Sequence, residues 1–439
     1  MPLIGEIEED IASGKLSAEP FGSQAVATSS RSLQLCAELF NKHRFPPSVA
    51  AYPQRHQSPH KKIRIGYLSG EFRDQATSHL IVGILETHDC SQFEVYAFDN
   101  GWDDQSLIRR RIEAAVSGII DISQLGDESA IEAIRECHID ILVNLNGYFG
   151  EERTRLFARR PAAIHVNYLG FPGTLGANYI DYLIADRLVI PAGHERFYSE
   201  KIAFLPACYQ ANDRNRPIAN NTLNRADCGL PQESFVFCCF NNGYKITPSV
   251  FDCWMRILKK VERSVLWLLQ DNPDAAENLR KEAAARRVDP RRLVFAERLM
   301  LADHLARHRL ADLFLDTLPY NAHTTASDAL WAGLPVLTQI GETFPGRVAA
   351  SLAHAINLPE LVTPNPHDYE ALAIELASDK DKLAAIRQKL SDNRLTTTLF
   401  DTELFTRHIE AAYKAMHKRH QAGLAPDHLF LSGEDTNGL

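Results

Sequence analysis

Two successive runs of alternating strand and helix patterns constrain the fold of this chain more than any other feature. In the first run, short apolar segments such as 63–67, 93–98 and 141–145 are separated by stretches with helical spacing. The alternation begins again at 235–240, after the polar, Asn-rich stretch 210–224. Such alternation is typical of a parallel sheet wrapped by helices, so the sequence predicts two Rossmann-like, doubly wound α/β domains.

The predicted domain organisation has four parts. Residues 1–60 are expected to form a helical leader, 61–209 a first Rossmann-like lobe, 210–390 a second one, and 391–439 a helical tail. The arrangement expected for two such lobes is GT-B, in which they face a cleft. Ligands of open α/β sheets bind beyond the carboxyl ends of the strands, so we expect the loops after the strands to carry the chemistry.

Composition excludes several other classes of protein. With 439 residues, of which 45% are hydrophobic and 23% charged, the chain can bury a large core. A formal net charge of −9 disfavours a general nucleic-acid binder, whose binding face is basic. No stretch offers the ~18 consecutive apolar residues of a membrane span. The eight cysteines form no Cys-x-x-Cys pair, so we expect a cytoplasmic protein with reduced thiols and no membrane partner.

The segment 319–328, with the sequence PYNAHTTASD, follows a predicted strand and opens a predicted helix. The first amides of a helix lack internal partners, and the helix dipole adds partial positive charge there. Thr324 and Thr325 add hydroxyl donors, so a diphosphate could bind here. Asp328, one turn further on, could accept hydrogen bonds from a ribose. Plain helix capping is the alternative explanation of the two threonines.

Three further residues of the second lobe are candidates for contacts to a nucleotide. Lys245 follows the first strand of this lobe, where a cation would stabilise the charge that grows on a departing diphosphate such as UDP. A spacing of three puts His304 and Arg307 on one helix face, where they could pack on a uracil. A solvated lysine and an ordinary surface helix are the respective alternatives.

In the first lobe, the loop after the first strand carries carboxylates, an amide and a histidine. A general base must lie within hydrogen-bond reach of the acceptor hydroxyl, and Glu71 and His79 are the candidates. Thr77 or Ser78 is predicted to cap the helix that follows. A capped helix with exposed polar residues is the alternative explanation.

A second loop, at 170–176, has three glycines at a spacing of three, which is typical of a backbone that approaches a ligand closely. The sequence has neither a phosphate-binding P-loop nor a Gly-x-Gly-x-x-Gly fingerprint. The only Asp-x-Asp, at 379–381, falls in the predicted helical tail. We therefore predict no metal site, and helix amides, threonines and Lys245 would neutralise the diphosphate.

These segments together resemble the protein O-linked N-acetylglucosamine (O-GlcNAc) transferase family, in its bacterial branch, over about residues 61–420. The resemblance is carried by long motifs in the expected order, namely LVNLNGY, LGFPGTLGANYIDYLIAD, YSEKIAFLP, FCCFNNGYKITPSVF, SVLWLL, LADLFLDTLPYNAHTTASDALWAGLPVLT and ETFPGRVAAS. It implies the GT-B fold, UDP-GlcNAc as donor, inversion at the anomeric carbon, transfer to Ser or Thr of proteins, and no metal or other cofactor.

The resemblance also implies roles for individual residues. Lys245 resembles the lysine that stabilises the UDP leaving group, and Asn242 falls where some members have Gln. The other expected contacts to UDP are the diphosphate binders His323, Thr324 and Thr325, the ribose ligand Asp328, and the uridine contacts His304 and Arg307. The donor-sugar pocket and its surroundings are expected to include Gly170, Pro172, Tyr148 and Arg153.

Two departures from the family stand out. Relatives usually carry a histidine where this chain has Gln75, and a glutamine cannot take a proton at neutral pH. The base would then be Glu71 or a phosphate oxygen of the donor. The tandem helical repeats that usually precede the catalytic region are missing. The alternatives are therefore a GT-B transferase with another nucleotide sugar or a non-protein acceptor, and a catalytically weak UDP-sugar-binding protein.

Overall fold

The chain folds into two compact units. The computed structural model describes residues 2–47, 60–220 and 223–433, so two residues of the predicted hinge, 221 and 222, lie outside the described residues. The first unit consists of Met1–Arg214 together with Phe400–Leu439, and the second of Asn215–Leu399. Each is built around a parallel sheet, which confirms the prediction of two Rossmann-like α/β domains.

The secondary structure of the described residues follows the predicted alternation. The strands are β1 (Ile63–Ser69), β2 (Phe93–Asp99), β3 (Gly118–Asp121), β4 (Ile141–Asn144), β5 (Ile164–Asn167), β6 (Tyr182–Asp186), β7 (Lys201–Leu205), β8 (Phe235–Cys239), β9 (Ser264–Leu269), β10 (Leu293–Ala296), β11 (Leu313–Leu315), β12 (Val336–Gln339), β13 (Val362–Thr363) and β14 (Leu429–Phe430). The α-helices are α1 (Pro2–Ala12), α2 (Pro20–Gln24), α3 (Ser30–Arg44), α4 (Ala76–Thr87), α5 (Leu107–Ala115), α6 (Asp127–Glu136), α7 (Thr154–Phe157), α8 (Pro248–Lys260), α9 (Pro273–Ala285), α10 (Leu301–Arg307), α11 (Thr324–Trp331), α12 (Val348–Ala355), α13 (Pro366–Ser378), α14 (Lys380–Asn393) and α15 (Thr402–Gln421). None of these helices is long and apolar enough to cross a bilayer.

The strand order of each sheet reverses at one point. The first sheet has the order β14-β7-β6-β5-β4-β1-β2-β3, and the second has the order β10-β9-β8-β11-β12-β13. The chain therefore moves outward in one direction from β1 and from β8, and later returns to the other side of each strand. The loops on the two sides of such a reversal separate and leave a crevice at the carboxyl ends of the strands. The loops after β1 and β4, and those after β8 and β11, are the places to look for a site.

Much of the predicted leader and tail folds into the first unit. Ala37 of α3 belongs to the same buried cluster as Leu68 and Phe98 of the sheet. Helix α15 packs against α4, and the Tyr413 hydroxyl lies 3.2 Å from that of Tyr67 in β1. Each of these helices has an apolar face that the sheet covers. Helices α1 and α2 lie within the predicted helical leader, whereas the two-residue strand β14 had no counterpart in the sequence prediction.

The start of α4 differs from the prediction. Gln75 is its N-cap, and the Gln75 side chain makes no capping hydrogen bond. Thr77 and Ser78 lie inside the helix, so the prediction that one of them is the cap was wrong. The Ser78 hydroxyl instead donates to the backbone carbonyl of Glu71 (2.5 Å) and so ties the helix to the loop after β1.

The glycine loop 170–176 approaches the protein's own backbone. A Cβ at Gly170 would clash with the carbonyl of Leu145, at the end of β4. Gly176 has a φ of +61°, and a Cβ there would clash with the backbone N of Glu38 in α3. Packing inside the first unit therefore accounts for two of the glycines that the sequence associated with a ligand.

Gly176→Ala is expected to destabilise the first unit by about 3 kcal/mol, because it adds a clash with α3 to the strain of a positive φ. Gly193→Ala is the matched control, since Gly193 has a φ of +84° and nothing within 4 Å of an added Cβ. The control should cost only about 1 kcal/mol. Urea unfolding of both variants measures the difference, and equal losses would show that α3 does not pack firmly on this loop.

Candidate active site

Asp316, directly after β11, fixes the turn that leads into α11. Its Oδ1 accepts hydrogen bonds from the backbone N–H groups of Thr317 (2.7 Å) and Ala322 (2.6 Å). Its Oδ2 accepts one from the Thr338 hydroxyl (2.7 Å). Burial raises the pKa of the Asp316 carboxyl, while these hydrogen bonds and the charge of Lys245 oppose the rise. A buried carboxylate with three donors holds the turn in a single conformation.

Asn241, after β8, connects this turn with the start of α11. Its Nδ2 donates to the Thr317 hydroxyl (2.8 Å), and its Oδ1 accepts a hydrogen bond from the Thr325 hydroxyl. The Thr317 hydroxyl in turn donates to the carbonyl of Tyr320 (2.7 Å). One buried amide side chain thus joins the two loops that meet at the reversal of strand order.

The first turn of α11 presents free backbone donors. Within the described residues, the N–H groups of His323, Thr324 and Thr325 donate no hydrogen bond, and His323, the N-cap, provides no side-chain cap. These are the N–H groups that helix geometry leaves without an intrahelical acceptor. The alternative explanation was plain helix capping by the two threonines, and the structure does not show it. The start of α11 can therefore hold an anion, and diphosphate binding there stays a prediction.

Lys245 is buried beside this helix start. Its Nζ donates to the backbone carbonyl of Asn321 (2.8 Å) and lies 3.8 Å from the centroid of the Tyr320 ring. Only 8% of Lys245 is exposed, so the alternative of a solvated lysine is wrong. Burial lowers the pKa of Lys245 to about 8, although the charge of Asp316 raises it. With one acceptor among the described residues, the ammonium group keeps two N–H donors for a ligand.

The His323 ring has a defined protonation state. Its Nε2 lies 3.0 Å from the carbonyl of Pro345, and because a carbonyl only accepts, Nε2 carries the proton. Burial, helped by the charge of Lys245, holds the pKa of His323 well below its usual value. The ring is therefore neutral, and its Nδ1 is an acceptor. The group of His323 that could bind a phosphate is its backbone N–H.

His304 and Arg307 form one cluster on α10, as their spacing predicted. Both pack on the Phe240 ring at the end of β8, and the Arg307 guanidinium lies 4.5 Å from its centroid. Arg307 donates to the carbonyl of Glu297 (2.5 Å) and to Nδ1 of His304. Burial lowers the pKa of His304 to about 2 and that of Arg307 to about 10. His304 is thus a neutral ring whose Nε2–H remains a donor, and Arg307 supports it from inside, unlike residues of an ordinary surface helix.

The other two predicted UDP contacts, Asn242 and Asp328, differ in burial. Asn242 is exposed after β8, and its Oδ1 accepts a hydrogen bond from Arg298 (3.2 Å). Asp328 is buried and accepts a hydrogen bond at Oδ1 from Arg216 (2.6 Å), which also donates to the Ser327 hydroxyl (3.2 Å). The expected ribose ligand therefore already has a cationic partner, which orients its carboxylate.

In the first unit, Asn146 connects the loops after β1 and β4. Its Oδ1 accepts hydrogen bonds from the Ser69 hydroxyl and the Gly70 N–H group, both at 3.0 Å. Its Nδ2 donates to the carbonyl of Phe149 (2.9 Å). As in the second unit, a buried amide side chain holds the point where the strand order reverses.

Glu71 is the buried carboxyl group of this region. Burial raises its pKa, as a general base acting near neutral pH requires, while Arg73 at 3.3 Å from Oε1 opposes the rise. Gly150 lies close by, because a Cβ there would come within 2.8 Å of Oε1, and its φ of +62° also favours glycine. The geometry leaves Glu71 as a candidate base.

Gln75 and His79 lie together at the start of α4. Gln75 is exposed, and its backbone carbonyl accepts the N–H of His79 (3.1 Å). The His79 Nε2 lies 2.7 Å from Oδ1 of Asp74. The structure therefore places an Asp–His pair next to Gln75.

Four residues expected in or near a donor-sugar pocket make internal contacts. The Tyr148 hydroxyl donates to a backbone carbonyl of the glycine loop (2.5 Å). Arg153 donates to Asp127 (2.7 Å), and the carbonyl of Pro172 accepts a hydrogen bond from α2 (3.3 Å). Gly170 packs on the end of β4. These contacts hold the loops after β4 and β5 in place, and the predicted contacts to a sugar stay predictions.

Sequence reasoning missed several buried polar residues that hold these loops. Each of three such residues lies within two positions of the end of a buried strand, and this pattern could have identified them: Asp316, Asn241 and Asn146. Arg216 has no such signal, because only the fold brings it to Asp328, 112 residues further along the chain.

The two sheets and the loops at their reversals define the class of protein. Two Rossmann-like units, the second with a buried lysine beside an uncapped helix start, are the architecture of GT-B glycosyltransferases. The chain belongs to glycosyl transferase family 41, whose family model matches residues 21–221 and 211–409. The resemblance to O-GlcNAc transferases is thereby confirmed, and the chain contains the catalytic region of that family.

Individual relatives agree with this assignment. The chain is 37% identical over 408 residues to a probable UDP-N-acetylglucosamine–peptide N-acetylglucosaminyltransferase, SEC, of Arabidopsis thaliana, covering 91% of this chain and 42% of the relative. It is 29% identical over 491 residues to the UDP-N-acetylglucosamine–peptide N-acetylglucosaminyltransferase of Caenorhabditis elegans, covering 86% of this chain and 43% of the relative. The chain thus spans less than half the length of these curated relatives.

Solved structures show the same fold. A lysine-to-methionine mutant of the Thermobaculum terrenum O-GlcNAc transferase superposes with a TM-score of 0.84 at 29% identity, covering 96% of this chain and 83% of that one. Anabaena HepE in complex with UDP and glucose has a TM-score of 0.54 at 12% identity, covering 80% of this chain and 100% of that one. The second likeness concerns the fold alone.

Proposed function

We propose that this chain transfers GlcNAc from UDP-GlcNAc to Ser or Thr hydroxyls of proteins, with inversion and without a metal ion or other cofactor. The observation that carries the proposal is the position of Lys245 beside the free N–H groups of α11. The names of the Arabidopsis and Caenorhabditis relatives, both UDP-N-acetylglucosamine–peptide transferases, support the donor and the acceptor class. The eight cysteines are free thiols, which fits a reducing cytoplasm.

UDP is the leaving group, so the groups that bind its phosphates are expected to contribute most to catalysis. When the bond between the anomeric carbon and the phosphate oxygen breaks, negative charge grows on the β-phosphate of UDP. Lys245 and the dipole of α11 provide fixed positive charge at one place, so they stabilise the transition state more than the bound substrate. These two groups supply the charge for which many other transferases use a metal ion.

The acceptor side needs a base. The attacking hydroxyl approaches the anomeric carbon opposite to the leaving UDP, which inverts the configuration, and its proton passes to the base as the new C–O bond forms. Glu71, with its raised pKa, is the protein group proposed for this step, and a phosphate oxygen of the donor is the alternative. Gln75 cannot serve, because an amide does not take a proton at neutral pH.

Nucleoside recognition would use the α10 cluster. The neutral His304 ring keeps its Nε2–H as a donor, and a carbonyl of uracil is a matching acceptor. The buried Arg307 behind it fixes the orientation of the ring. This arrangement suits a nucleobase with an accessible carbonyl, such as the uracil of UDP.

Incubation of the chain with UDP-GlcNAc and cell-lysate proteins, followed by mass spectrometry, tests the proposal. We expect Ser and Thr residues to gain one GlcNAc, and added chelator to leave the yield unchanged. A sugar gained only from another nucleotide sugar would favour a transferase with a different donor. If UDP raises the melting temperature but neither transfer nor donor hydrolysis is detected, the chain is a UDP-sugar-binding protein. A melting curve unmoved by UDP and UDP-GlcNAc would contradict both the GlcNAc transferase and the UDP-sugar-binding protein.

A further inference from the structure

Trp102 is a large aromatic residue that the first unit leaves exposed. The residue is 56% exposed and follows β2 by three positions, at the same edge of the sheet as Glu71. The guanidinium of Arg73 lies 3.6 Å from the centroid of its ring. Arg73 is itself buried and donates to the carbonyl of Gly70 and to Glu71. One face of the indole is thus covered, and among the described residues no other ring or cation lies over the ring.

The loop that carries Trp102 is firmly held. The N–H group of Asn100 donates to the carbonyl of Ser69 (2.9 Å), and its side-chain amide donates to the carbonyl of Glu151 (3.0 Å). Gly101 packs against Gly70 so closely that a Cβ would clash with the Gly70 carbonyl. The exposed indole is therefore a fixed part of this surface.

The surface beside the indole carries an excess of negative charge. Asp103 and Asp104 follow Trp102 directly, and the N–H group of Asp74 donates to Oδ2 of Asp104 (2.8 Å). Two nearby cations already have partners: Arg73 pairs with Glu71, while Arg109 binds carboxylates of β2 and of its own helix α5 and lies 4.0 Å from Oδ1 of Asp103. A ligand that fits this surface is therefore a cation.

We propose that Trp102 is a platform for a Lys or Arg side chain of the acceptor polypeptide, so that the chain selects acceptors with a basic residue near the modified Ser or Thr. The face of an indole attracts a cation through the quadrupole of its ring, and Trp is the most effective residue for this contact. Asp104 adds attraction through its charge, and Asp103 adds less because it lies 4.0 Å from Arg109. This inference rests on the proposed function and deepens it by naming the acceptor class.

Matched peptides test the platform. Three fluorescent peptides share one acceptor Ser and differ only in a flanking Arg, Gln or Glu, and each is titrated with the full chain in the presence of UDP. We expect the Arg peptide to bind most tightly, and Trp102→Ala to weaken its binding by about threefold to thirtyfold. Trp102→Phe should retain part of the preference. Leu107→Ala, which removes another apolar side chain that is 78% exposed on the same unit, should leave the preference intact.

The outcomes separate the platform from the proposed function. If the Arg and Gln peptides bind alike, or if Trp102→Ala preserves the preference, the platform is overturned even where GlcNAc transfer occurs. If the wild type prefers the Glu peptide, the charge argument fails as well. If Trp102 governs binding of the Arg peptide but no GlcNAc is ever transferred, the platform stands and the proposed function fails.

Discussion

Replacing Lys245 with methionine is expected to lower kcat for GlcNAc transfer by about 10²- to 10³-fold, the size expected for loss of one preorganised group that stabilises a developing anion. Methionine fills a similar volume beside Tyr320 but brings no charge and no donor. Because the charge of UDP grows as its bond breaks, kcat should fall more than KM for UDP-GlcNAc rises. Single-turnover transfer and donor hydrolysis measure the effect.

The matched control for this variant is Lys281→Met. Lys281 belongs to the same unit, its side chain is 65% exposed, and it pairs with Glu277 one turn away on α9. Its replacement should leave kcat within about twofold, since surface charges far from a site contribute little. Equal losses in the two variants would contradict a specific role for Lys245.

The pH dependence of UDP binding follows from the lowered pKa of Lys245. In the free protein, Lys245 is charged below pH about 8 and loses its proton as the pH rises through that value. Bound diphosphate favours the charged form, so the dissociation constant of UDP should rise above pH 8, by up to about tenfold per pH unit. Calorimetric titrations measure it. The Lys245→Met variant should show a flat profile over the same range, and a flat wild-type profile would contradict the assignment.

Asp316→Ala should have the largest effect on stability, a loss of about 3–5 kcal/mol for the second unit. The change removes the acceptor for the N–H groups of Thr317 and Ala322 and for the Thr338 hydroxyl, and all three would be left buried. It also removes the negative charge that favours protonated Lys245. Urea unfolding measures the loss, and UDP binding should weaken in the molecules that remain folded.

Asp381→Ala is the control for the Asp316 prediction. Asp381 is an exposed carboxylate in the first turn of α14 in the same unit, and its removal should change stability by no more than about 0.5 kcal/mol. If Asp316→Ala behaves like this control, the turn before α11 is held by something other than the buried carboxylate.

The fold was largely predictable because its signals are local. Apolar segments of four to seven residues separated by helical patterns indicate a parallel sheet even when the pairing of its strands is unknown. The two-residue strand β14 carries no such signal, since it exists only by pairing with β7. The glycine loop shows a related ambiguity, because a close approach of backbone to a ligand and to the protein's own helix require the same residue type.

The candidate site was predictable in part for a similar reason. Lys245 lies in the loop after β8, and the Thr324–Thr325 pair opens the helix that follows β11, so their position near the edge of the sheet could be inferred. The pairing of Arg216 with Asp328 depends on the tertiary fold, so the sequence could not indicate it. The tautomer of His323 depends on one carbonyl contact to Pro345, which no motif specifies.

The central claim is that a diphosphate binds at the start of α11 beside Lys245, and a crystal structure of the UDP complex tests it most directly. We predict phosphate oxygens at about 2.7–3.2 Å from the N–H groups of Thr324 and Thr325 and from the Lys245 Nζ. A nucleotide bound elsewhere, or phosphates that contact neither Lys245 nor these N–H groups, would contradict the account.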